Sequence, residues 1–169
     1  MIAESLVRRG AKALVIACNT ATAAAAEAIR AAIDLPIVAL EPGVKPAVAL
    51  SKRGVIGVMA TTRTLASERF LRLVGNHANH LRVLAQQCPG LAEAIEAQGP
   101  ESAEVAALLN AFMAPLAAAA VDVVVLGCTH YPWVAEAIAR RMPPGVTLLD
   151  TGEPVARQLE RLLSAANLI

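Results

Sequence analysis

The sequence predicts an α/β fold with parallel strands, and three observations carry that prediction. Short β-branched runs alternate with longer stretches of helical period, 37 of the 169 residues are alanine, and only four are aromatic. Strands joined by helical crossovers make parallel sheets, and a chain rich in alanine and poor in large rings packs thin helices closely. That balance excludes an all-β fold.

A helix is expected up to Arg9, where Glu4, Arg8 and Arg9 fit a helical pattern that Gly10 closes. The apolar run 13–17 reads as a strand ending on Cys18, and the Ala-rich stretch 20–32 as a helix with Asn19 near its start. A strand over 37–40 follows Pro36, a helix over 46–52 opens on Pro46, and a strand over 55–59 follows Gly54. A helix over 64–74 has Thr62 near its start, and a strand over 81–84 comes next. After the turn Cys88-Pro89-Gly90, helices are expected over 91–97 and over 101–119, the second with Ser102 as a capping group. Val123-Val124-Val125-Leu126 reads as a buried strand, followed by a helix over 133–141 whose first turn suits Pro132. A strand over 146–149 and a helix over 154–165 behind Thr151 complete the series. The chain opens on a helix where such domains usually open on a strand, so a strand is expected to be missing from the front.

One compact domain or two small ones fit the length. Apolar residues make up 56% and charged ones 17%, which excludes a disordered chain. A net charge of +1 gives no electrostatic footprint for nucleic acid, so no nucleic-acid partner is expected. Cys18, Cys88 and Cys128 form neither an even set nor a CxxC pair, and the opening residues lack the apolar stretch of a signal peptide. A reducing cytoplasm is expected. The apolar stretch 108–126 is broken by Asn110, Pro115 and Asp122, so no membrane span is expected either.

Two stretches could carry chemistry. In Leu14-Val15-Ile16-Ala17-Cys18-Asn19-Thr20, a strand ends on a cysteine and turns at once into a helix. Ligands of open α/β sheets collect at that edge, where a helix amino terminus offers free N–H groups and partial positive charge that makes a thiol more acidic. Taken alone, Cys18 reads rather as a small core hydrophobe. Val123 to Pro132 repeats the design as strand, Gly127, Cys128, Thr129, His130 and helix, and repetition favours a ligand edge over packing. His130 adds a group that titrates near neutral pH beside a thiol. His77 and His80 lack an accompanying carboxylate, so no metal site is expected there. Cys88 in its turn reads as structural, and Trp133 as packing near the ligand edge.

The stretches CNTATA and GCTHYP resemble the paired cysteine signatures of the glutamate racemases, within the aspartate/glutamate racemase superfamily. Glu41 to Ala47, Gly57 to Thr64, Cys88 to Leu91 and Asp150 to Glu153 resemble the same family in the same order, so the likeness spans nearly the whole chain. The resemblance implies two Rossmann-like parallel-sheet domains with the active site in the cleft between them. Residues 1–43 and 146–169 would form a partial first domain, and 44–145 the second. It also implies cofactor-independent racemisation of L- and D-glutamate that supplies D-glutamate for peptidoglycan. Cys18 would take the proton from D-glutamate and Cys128 from L-glutamate, with His130 supporting Cys128. Asn19, Thr20, Thr129 and His130 would hold the ammonium and carboxylates, with Thr61 and Thr62 as weaker carboxylate contacts. The implied partner is glutamate; no cofactor and no metal are called for.

Where the family begins with a strand, an Asp-Ser-Gly-Val-Gly-Gly loop and a Pro-Tyr-Gly segment, this sequence has neither, so the first domain is expected to be truncated at its amino terminus. Cys18 would then lack its supporting aspartate. Uncovered sheet edges would favour association with a second copy, a homodimer. Two alternatives stay open: a catalytically impaired racemase acting as a binding module, and a racemase for aspartate or a related acidic amino acid.

Overall fold

Among the described residues six short strands form, most of them runs of Val, Ile and Leu too short for helices, and each is followed by a turn into a helix. The computed structural model describes residues 2–169. The elements run α1 (Ile2–Arg8), β1 (Leu14–Ile16), α2 (Asn19–Ala32), β2 (Ile37–Ala39), α3 (Val44–Leu50), β3 (Val55–Ala60), α4 (Thr62–Leu65), α5 (Glu68–His77), β4 (Arg82–Gln87), α6 (Leu91–Gln98), α7 (Ala103–Ala118) and β5 (Val123–Leu126). A 3-10 turn (Tyr131–Val134), α8 (Ala135–Ala139), β6 (Thr147–Leu149) and α9 (Gly152–Ala165) complete the chain. All strand pairings are parallel, as the alternation predicts.

The chain divides into two compact units. The first holds the described residues up to Glu41 together with Thr151–Ile169. Its sheet pairs β1 with β2, Leu14 opposite Ile37 and Ile16 opposite Ala39, with α2 against both strands and α9 against β2. Among the described residues β1 pairs with β2 alone, and Val15 is exposed on it.

The second unit, Pro42–Asp150, has strand order β4-β3-β5-β6. Its central strands are buried on both faces, which is why Val55–Ala60 and Val123–Leu126 read as continuous apolar runs. Alternation along them builds two cores. Met59, Val124 and Leu126 join α6, α7 and α8 through Ile95, Leu109, Met113 and Ile138; Ile56, Val58, Ala60, Val123 and Val125 join α3 and α5 through Val44 and Phe70. A Cβ on Gly57 would meet Leu116 Cδ2 at 3.0 Å, so the missing side chain lets α7 lie close on β3. Asp122, just before β5, holds the turn before β3 by accepting from Ser51 Oγ at 2.7 Å and from the N–H groups of Lys52 and Arg53 at 2.6 and 2.7 Å. Burial opposes its charge, but these donors together keep its carboxyl below the usual range.

Four expectations are corrected. The helix over 64–74 is two helices, because Ser67 turns extended and its hydroxyl accepts from Phe70 N at 3.2 Å, which starts α5 afresh. The helix over 133–141 begins as a 3-10 turn around Pro132 and continues only to Ala139 as α8. The strand over 146–149, grouped by sequence with the first part, pairs with β5 and lies in the second sheet. Thr151 makes no side-chain capping bond to α9.

Candidate active site

In the second unit β3 leads to β4 on one side of the sheet, while β5 lies on the other, so the strand order reverses between β3 and β5. A crevice opens at the carboxyl ends of strands at such a switch point. Cys128, Thr129 and His130 follow β5, and Thr61 and Thr62 follow β3, so the fold brings these five predicted residues to one sheet edge.

Gly127 fixes the start of the first loop. Its N–H donates to Met59 O at 2.7 Å, and a Cβ there would stand 2.6 Å from that oxygen. Only glycine lets the strand end this close to β3 before the chain turns outward at Cys128. Tyr131 N–H donates back to Cys128 O at 3.1 Å, closing the turn, and the Tyr131 ring is fully buried in the core beneath it.

Cys128 is partly exposed, with its sulfur 3.8 Å from His130 Nδ1. His130 Nε2 lies 2.8 Å from Glu96 Oε2, a carboxylate on α6. A carboxylate there favours the neutral tautomer that donates Nε2–H to it, with the Nδ1 lone pair facing the thiol. Contacts thus run from the Glu96 carboxylate through the His130 ring to the Cys128 sulfur. The Trp133 ring meets the imidazole edge to face, with centroids 5.7 Å apart at 63°.

The threonines have local duties. Thr61 Oγ1 accepts from Thr64 N at 3.2 Å and caps α4. Thr62 Oγ1, exposed, donates to Gln87 Oε1 at 3.3 Å, and Thr129 is exposed on the loop. Cys88, at the end of β4, is buried and donates to Gln86 O at 3.5 Å. Burial pushes its thiol up to about 12. Burial also raises the Tyr131 phenol far above its ordinary value, and the neighbouring Cys88 and Cys128 raise it further.

In the first unit Cys18 is exposed and caps α2, its sulfur accepting from Ala21 N at 3.5 Å. Asn19 is buried in the first turn and Thr20 half-buried beside it, while Thr22 Oγ1 donates to Ile16 O at 3.4 Å. Cys18, Asn19 and Thr20 thus share one helix amino terminus at the carboxyl end of β1, as the strand-to-helix pattern predicts.

Sequence reasoning passed over Glu96, which stands 34 residues before His130 on an amphipathic helix where a glutamate reads as a solvent face. Among the described residues no three His, Cys, Asp or Glu side chains gather to hold a metal, and no helix is long and apolar enough to cross a membrane. A cavity of about 480 Å³ lies between the start of α7 and α8, lined by Trp133 and by none of the predicted site residues.

The family model for Asp/Glu/hydantoin racemases matches residues 2–159. The glutamate racemase of Ectopseudomonas mendocina is 49% identical over the whole chain, and that of Herpetosiphon aurantiacus is 49% identical over 97% of it. The chain spans about 65% of the length of either relative. Among solved structures, Escherichia coli glutamate racemase in complex with L-glutamate and the activator UDP-MurNAc-Ala aligns with a TM-score of 0.88 and 31% identity, covering 96% of this chain and 62% of that one. Glutamate racemase from Francisella tularensis in complex with D-glutamate aligns at 0.81 with 26% identity, covering 99% and 62%.

Proposed function

Because the chain belongs to the Asp/Glu/hydantoin racemase family, we propose that it interconverts L- and D-glutamate by two-cysteine acid–base exchange at Cα, without a cofactor. The observation that carries this reading is the run of contacts from Glu96 through His130 to Cys128 at the carboxyl edge of the second sheet. Cys128 passes its proton to His130 Nδ1, and Glu96 balances the imidazolium that forms. The thiolate then removes the Cα proton of L-glutamate, forming an S–H bond and leaving the electron pair on Cα. A thiol on the opposite face, assigned to Cys18, supplies the proton that forms the new C–H bond. After one turnover the two sulfurs have exchanged protonation states, which is the starting point for the reverse reaction.

A Cα–H is a much weaker acid than a thiol, so donors must meet the charge that develops on the substrate. Asn19, Thr20 and Thr129 are assigned to the ammonium and carboxylates. Thr62 is a weaker carboxylate contact, and Thr61, already capping α4, weaker still. Relatives solved with L- and D-glutamate support the choice of substrate. The product D-glutamate is assigned to peptidoglycan, and the reducing cytoplasm is the setting in which both catalytic sulfurs stay thiols.

The test is deuterium wash-in at Cα of each enantiomer in heavy water, with Cys18→Ser and Cys128→Ser beside the parent chain. Wash-in from both enantiomers, impaired in both variants, is expected. Exchange from L-glutamate alone, lost only in Cys128→Ser, would leave Cys18 without a role in this chain. Absence of exchange from either enantiomer would refute the reading.

A further inference from the structure

The Glu96 contact leaves one freedom of His130 unexplained. A hydrogen bond at Nε2 fixes one ring atom, yet the imidazole can still swing about that anchor and carry Nδ1 away from Cys128. The element that opposes the swing is the indole of Trp133, three residues on, which meets the imidazole edge to face at 5.7 Å, within the range where aromatic pairs attract. Its position is itself fixed. Pro132 stands in the first turn, Trp133 N–H donates to His130 O at 3.2 Å, and the flanking Tyr131 and Val134 are buried in the core. Trp133 is nevertheless 63% exposed, so burial of its own surface does not account for a large ring at that place.

We propose that Trp133 is a positioning residue for the Cys128 half of the site: its ring and Glu96 hold the His130 imidazole from two sides, so that Nδ1 stays aimed at the Cys128 sulfur. Trp133 touches neither sulfur nor substrate in this scheme and acts through His130 alone. The consequence for catalysis rests on the racemase reading, whereas the thiol chemistry used to test it does not. The proton moves from Cys128 Sγ to His130 Nδ1, and an alkylating reagent then reads the thiolate formed.

The experiment measures the rate at which iodoacetamide modifies each cysteine at neutral pH, resolved by peptide mass spectrometry, in the parent chain and in Trp133→Leu, Trp133→Phe and His130→Asn. Cys18 is the internal control, and buried Cys88 checks that each variant is folded. Trp133→Leu is expected to slow Cys128 about threefold or more, His130→Asn to slow it further, and Trp133→Phe to restore the parent rate within about twofold, with Cys18 unchanged throughout. A Cys128 rate in Trp133→Leu equal to or above the parent's would overturn the proposal, as would an equal loss in the phenylalanine variant. A second readout is the ring-current shift of the His130 ring protons, resolvable because the chain has three histidines and one tryptophan. That shift is expected in the parent and absent in Trp133→Leu; its absence in the parent would sink the contact itself. If no enantiomer exchanges deuterium while the alkylation pattern holds, the racemase reading fails and the positioning role stands.

Discussion

Three cysteines in one chain meet three environments, and the differences follow from a few neighbouring atoms. Cys18 is exposed on a helix amino terminus, Cys128 faces an imidazole, and Cys88 is sealed in the core. The relay behind Cys128 predicts a graded response. His130→Asn removes the proton acceptor and should lower Cα exchange from L-glutamate about 100-fold, while Glu96→Gln keeps the ring and should cost roughly tenfold, both read by deuterium wash-in. Cys88 predicts a loss of stability in alkali. An unfolded cysteine releases its proton near its ordinary value of 9.0, whereas the folded thiol keeps it to about 12, so stability is complete below pH 9 and falls as pH rises from there. Tyr131, also shifted upward, adds to the fall. Melting temperature followed from pH 8 to 11 should drop, and less steeply in Cys88→Ala than in the parent. The Cys128 and His130 loop was legible in the sequence because strand, glycine, cysteine and proline follow one another directly. Glu96 was not, since its partnership exists only once α6 has docked on the sheet.

At the scale of elements, the connection between Asp122 and the turn at Ser51 to Arg53 ties the entries of the two central strands together. Asp122→Ala would leave three donors without their acceptor, and because the site is only partly buried the cost should be about 1 kcal/mol, near the low end for such bonds. Since the folded carboxyl lies below its unfolded value of 3.8, this contribution is present above that pH and is lost as pH falls through the folded value. Urea titrations of parent and variant should differ more at pH 7 than at pH 3. Element type and order were readable from alternating composition, since β-branched runs and alanine-rich runs are hard to confuse. What escaped was local and combinatorial. Ser67 is tolerable inside a helix and preferable at the start of one, and only the bend after Leu65 decides between these. Strand 147–149 carries no mark of its neighbour, because sheet order is set by which edge is open when the strand arrives.

For the molecule as a whole, the two units differ in how much they bury. In the second, both faces of the sheet are covered; in the first, α1 and α9 bury no residue fully, and Val15, Ile2 and Leu6 are exposed. An open strand edge beside apolar side chains favours pairing with another chain, and a homodimer is the arrangement we expect. Sedimentation of the isolated chain should show a dimer or larger species, and Val15→Lys, which puts a charge on the open edge, should shift it toward monomer. A monodisperse parent monomer at micromolar concentration would count against this. The two-part organisation was foreseen through resemblance, not through composition, because no linker marks the crossings.

The division of the chain also sets an order in time. The second unit is continuous, so all of it has been synthesised once Asp150 is added. The first is not: β2 ends at Ala39, and the helix that packs on it begins only at Gly152. At synthesis rates of about 5–20 residues per second, β1 and β2 wait roughly 6–23 seconds for that cover. Through that interval the nascent first unit lacks the helix that packs on β2, while the continuous second unit is completed.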